Sequence, residues 1–93
     1  MMSKYVIERR LPGIGKETRD HLAQAAAKSN EVLRNLGVGV QWVQSYVTDD
    51  AIYCVYVAEN EDLIRRHAQL SGFPADRIVR VQALLDPASE ATA

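Results

Sequence analysis

Cysteine is almost absent from this chain: Cys54 stands alone among 93 residues. An internal disulfide is therefore impossible, and a lone thiol suits a reducing compartment. Neither CxxC nor HxxxH nor HExxH occurs, so no closed zinc site is encoded locally. Long apolar runs are missing too. None approaches the ~20 residues of a membrane-spanning helix, and the opening MMSKYVIERRLPG has no apolar stretch of a signal peptide. The expected location is the cytoplasm. Charge of one sign is also scarce: eleven Lys and Arg against twelve Asp and Glu give a net charge of −1, mixed along the chain. A nucleic-acid binder shows a basic stripe, and a membrane anchor a polybasic cluster; Arg9-Arg10 is too short for either. Gly13-Ile14-Gly15-Lys16 lacks the spacing of a phosphate-binding loop and follows Pro12, so it reads as plain loop. No Ser/His/Asp arrangement can be assigned.

What the chain does have is a dense apolar stretch, VQWVQSYVTDDAIYCVYVA, from Val40 to Ala58. Two runs rich in Val, Tyr, Trp and Ile flank Thr48-Asp49-Asp50, a fair turn, since Asp side chains bond nearby backbone. The reading is a β-hairpin. Alternation places Trp42, Tyr46, Ile52, Cys54 and Tyr56 on one parity, and Val43, Val47, Tyr53, Val55 and Val57 on the other. A ribbon apolar on both sides must be covered on both sides. A chain this short supplies one layer of helices, so the second cover is expected from another copy.

The remaining elements follow in order. Lys4–Arg10 reads as a short strand, stopped by Leu11-Pro12-Gly13. Glu17 to Leu36 reads as a helix, with Leu22, Ala25, Ala26, Ser29, Val32, Leu33 and Leu36 on one stripe. Thr18 is its expected cap and Gly37 its stop. The small residues on that stripe are expected to let the helix sit close to a sheet. Asn60 caps a second helix that ends at Gly72, with Ile64, His67, Ala68 and Ser71 facing inward. Arg77–Leu84 reads as the last strand, and 88–93 as a flexible tail after a single domain over 1–87.

The order β-α-β-β-α-β is the ferredoxin-like α+β pattern: a four-stranded antiparallel sheet with both helices on one face. The other face is bare in a monomer, so an isologous homodimer of the dimeric α/β barrel type is expected.

Four stretches together carry a family resemblance: Tyr5-Val6-Ile7-Glu8-Arg9, Trp42 to Thr48, Tyr53-Cys54-Val55-Tyr56, and His67-Ala68 followed by Gly72-Phe73-Pro74-Ala75. Over Lys4 to Pro87 the chain resembles a family of small bacterial proteins of unassigned function that includes a nickel-binding member. The resemblance implies a ferredoxin-like fold, homodimers and, in at least one member, nickel binding. It implies no particular reaction and no ligand set.

Candidate ligands follow from chemistry instead. Cys54 offers a soft sulfur donor that suits nickel or another divalent transition metal; its bland reading is a small core residue. His67, on the inward stripe of the second helix, offers an imidazole; its bland reading is a core histidine bonded to backbone. Glu8 offers a carboxylate, or else an ion pair with Arg80 across neighbouring strands. His21 reads as a surface residue. A metal site would draw on Cys54, His67 and Glu8 from separate elements or from two subunits. The alternative is a small-molecule pocket of monooxygenase- or isomerase-like type, lined by Glu8, Trp42, Gln44, Tyr46, Tyr56 and Phe73; that reaction type rests on fold analogy alone.

Overall fold

Strand pairing builds a four-stranded antiparallel sheet in the order β2-β3-β1-β4, seen in a computed structural model that describes residues 1–92. The strands are β1 (Ser3–Arg10), β2 (Val40–Val47), β3 (Ala51–Ala58) and β4 (Arg77–Arg80). The helices are α1 (Arg19–Leu36) and α2 (Glu61–Ser71), and the fold is ferredoxin-like. Expected and observed hairpins coincide, because β2 and β3 pair around Thr48-Asp49-Asp50, where the Thr48 N–H donates to the Ala51 carbonyl at 2.8 Å.

Both helices start where a side chain takes up a free backbone donor. Thr18 Oγ1 accepts from the His21 N–H at 3.2 Å, and Asn60 Oδ1 accepts from the Leu63 N–H at 3.0 Å. Gly72 closes α2 with φ 77°, a left-handed turn that favours glycine. The interior lies between the helices and one sheet face, around Tyr5, Ile7, Val40, Tyr56, Ala58 and Ile64.

Three expectations change. The last strand ends at Arg80, not Leu84, although the Val81 N–H still donates to the Lys4 carbonyl at 2.8 Å. Leu84 and Leu85 beyond it are exposed, and Pro87–Thr92 turns as a 3₁₀ helix; Ala93 of the expected tail lies outside the described residues. The loop at Gly13 contains a 3₁₀ turn, Ile14–Lys16, which docks on the hairpin tip. A Cβ at Gly15 would lie 2.8 Å from both the Asp49 Cα and the Thr48 carbonyl oxygen, so the contact admits only glycine without a shift.

The third change is in β2. The register slips between Trp42 and Gln44, leaving Val43 as a bulged extra residue. Trp42 pairs with Tyr56 on the helix side, whereas Gln44 pairs with Val55 and Tyr46 with Tyr53 on the bare side. Strict alternation predicts Trp42 and Tyr46 on one face; one inserted residue separates them.

Candidate functional site

Alanines at positions 25 and 26 give α1 a thin inner surface over its N-terminal half. Burial along the helix is concentrated at Ser29 and Leu33, while Leu22, Ala25 and Ala26 are only half-buried. Contrary to expectation, the small side chains do not draw the helix onto the sheet; they leave a gap. Beneath them lies a cavity of about 420 Å³, floored by Ile52, Cys54 and Tyr56 of β3 and by Trp42, Ser45 and Val47 of β2. Leu11, Ile14, Glu17 and His21 also line it, together with Phe73. Its volume falls within the ~300–1,000 Å³ usual for small-molecule sites.

Arg9 is the polar centre of this wall. It is 2 % exposed. Its Nε donates to the Cys54 sulfur at 3.4 Å and its Nη1 donates to the Pro74 carbonyl at 2.6 Å. The guanidinium carbon stands 6.0 Å from the ring centroids of both Tyr56 and Phe73, within reach of cation–π attraction. Among the described residues Nη2 has no hydrogen-bond partner. Arg9 is not among the expected site residues, although the alternation of β1 that turns Tyr5 and Ile7 inward turns Arg9 inward as well.

His67 is fully buried beside this group. Its Nε2 shares a 3.0 Å hydrogen bond with Ser29 Oγ, which ties α2 to α1, and its ring lies 5.3 Å from that of Tyr56. Nδ1 has no partner. Burial first, then the positive charge of Arg9, lowers its pKa to about 4 against an opposing hydrogen bond to the Ser29 backbone, so the imidazole is neutral at pH 7. Burial likewise raises the Tyr56 phenol above its ordinary value, against hydrogen bonding to Ser29 and the charge of Arg9.

The predicted site residues therefore divide. Trp42, Cys54, Tyr56 and Phe73 line the cavity, and His67 lies behind Tyr56. Glu8, Gln44 and Tyr46 lie on the opposite face of the sheet. Glu8 pairs in register with Tyr53, whose hydroxyl donates to it at 3.3 Å, and lies 3.8 Å from Arg10. Arg80 stands opposite Tyr5 and not Glu8, so the expected Glu8–Arg80 pair is replaced by Glu8–Arg10. Gln44 donates to the Tyr46 hydroxyl. The pocket is thus not shared by all six residues first assigned to it.

The donor set does not suit a divalent cation inside one subunit. Among the described residues no three His, Cys, Asp or Glu side chains gather at one point. Glu8 is across the sheet from Cys54, and a fixed guanidinium adjoins both Cys54 and His67. At the cavity rim the arrangement differs. His21 is exposed, and its Nδ1 lies 2.6 Å from Glu17 Oε2. A carboxylate that fixes an imidazole in this way is a common support for a metal-bound histidine.

Comparison with known proteins agrees with this architecture. A family described as nickel responsive protein SCO4226-like matches residues 5–81. The crystal structure of SCO4226 from Streptomyces coelicolor A3(2) is similar with a TM-score of 0.76 and 22 % identity, covering 89 % of this chain and 100 % of that one. At that identity the likeness carries the fold. A search of curated proteins finds no match.

Proposed function

The chain belongs to the SCO4226-like family of nickel responsive proteins, and on that premise we propose that it is a small nickel-linked binding protein acting as a homodimer in the cytoplasm. The ion is taken at exposed donors, with His21 as the imidazole ligand and Glu17 as its support, and remaining ligands come from a second copy or from water. One observation carries this choice: the buried pair first considered, Cys54 and His67, adjoins the Arg9 charge, whereas His21 faces solvent beside a carboxylate. Calorimetry with Ni²⁺ tests it. His21→Ala abolishes the heat of binding, Glu17→Gln weakens affinity by about 10-fold, and Cys54→Ala leaves it unchanged. Loss of binding in Cys54→Ala with His21→Ala intact would return the metal to the interior.

A second reading is favoured by the cavity itself. A space of about 420 Å³ that is mainly apolar, with a buried cation in its wall, has the makings of a site for a small organic molecule. This is the small-molecule alternative, relocated wholly to the helix side of the sheet.

A further inference from the structure

Arg9 carries a charge that nothing among the described residues neutralises. Among the described residues no carboxylate pairs with it, although it is 2 % exposed. Placing an unpaired ion in an apolar wall is costly, because the ion loses its hydration. The Pro74 carbonyl, the Cys54 sulfur, the Tyr56 phenol and the Tyr56 and Phe73 rings hold the guanidinium, but all are neutral partners. They fix Nε and Nη1 and leave Nη2 as a buried donor without an acceptor. An apolar side chain would fill this position at lower cost, unless an anion meets it.

The cavity decides which anion. Arg9 is its one buried cation, and Glu17 at the rim is itself an acid, so a multiply charged ligand would find too little positive charge. Leu22, Ala25, Ala26 and Ile52 offer hydrocarbon, and the space well exceeds the ~150 Å³ that accepts a benzene ring. We propose that the cavity binds a small amphipathic monocarboxylate, its carboxylate directed at the Arg9 guanidinium in the cavity wall and its apolar body lying beneath Ala25 and Ala26. The assignment rests on the cavity being a ligand site at all.

Trp42 lines the cavity and is the chain's single tryptophan, so its fluorescence reports occupancy. The native protein is titrated at pH 7 with phenylacetate, with its uncharged isostere phenylacetamide, and with inorganic phosphate. Phenylacetate binds at least ~10-fold tighter than the amide, the margin expected of a hydrogen bond to a charged group, and phosphate does not bind. Arg9→Gln removes the difference between acid and amide; the comparison on native protein stands even if that variant fails to fold. Equal affinity for acid and amide overturns the role of Arg9 and leaves the cavity as a site for neutral molecules. No response to either overturns both the role and the site. Phosphate binding as tightly as phenylacetate overturns the amphipathic class.

Discussion

His67 shows how a single enclosed side chain makes stability depend on pH. In the folded protein its ring stays neutral down to about pH 4, whereas in the unfolded chain it takes up a proton below about 6.5. Between those values the unfolded state holds more protons, so acid favours unfolding. The contribution of the neutral ring is fully present above pH 6.5 and is lost as the pH falls toward 4. Its size is as much as roughly 3 kcal/mol. Urea titrations at pH 7, 5.5 and 4.5 check this: the native protein weakens across the series more steeply than His67→Gln, which has no imidazole to charge. Parallel slopes for the two proteins would mean that solvent reaches His67 well enough to keep it near its ordinary pKa. Ser29 belongs to the same argument, because its Oγ bond to Nε2 partly offsets the cost of burying the ring nitrogen and its backbone opposes the lowering of the pKa.

At the scale of elements, most of the fold was legible and the site only in part. Helix α2 was readable because cap, stripe and stop agree: Asn60, then Ile64, His67, Ala68 and Ser71, then Gly72. The hairpin was readable because β-branched and aromatic residues crowd both sides of one acidic turn. The bulge at Val43 was not, since a single extra residue leaves no mark on composition yet moves Gln44 and Tyr46 to the far face. The cavity was invisible for a related reason. Alanine on an inward stripe is compatible with close packing or with a gap, and only the position of the helix axis tells them apart. Ala26→Leu exploits that difference. Three added carbons placed in open space contribute about 1–2 kcal/mol of stability and exclude phenylacetate from Trp42. Thermal melts and the fluorescence titration read both effects; a variant that melts lower would show that α1 already packs on the sheet there.

The whole molecule has more surface than its mass requires. The chain exposes 6602 Å², against about 5,400 Å² for a typical folded monomer of its size, and its radius of gyration of 14.2 Å exceeds the ~12 Å of a compact chain of this length. Two regions account for the character of that excess. On the bare side of the sheet, Tyr46, Tyr53 and Val79 are 56 %, 37 % and 39 % exposed, and half-buried Val6, Val55 and Val57 lie between them. Past β4, Leu84 and Leu85 are 75 % and 86 % exposed. A twofold mate laid on the sheet face would cover the first region, and the segment beyond Arg80 could reach across to cover the second. A stable pairing buries about 800 Å² per partner. Sedimentation equilibrium in the micromolar range is expected to give the mass of two chains. Val55→Glu places a charge amid that face and yields monomers with unchanged far-ultraviolet circular dichroism; Leu84→Ser with Leu85→Ser loosens the dimer without breaking the fold. If the native protein sediments as one chain at every concentration, its apolar sheet face is covered by something other than its own copy, and any nickel site shared between subunits goes with the dimer, whereas the cavity under α1, built from one chain alone, does not.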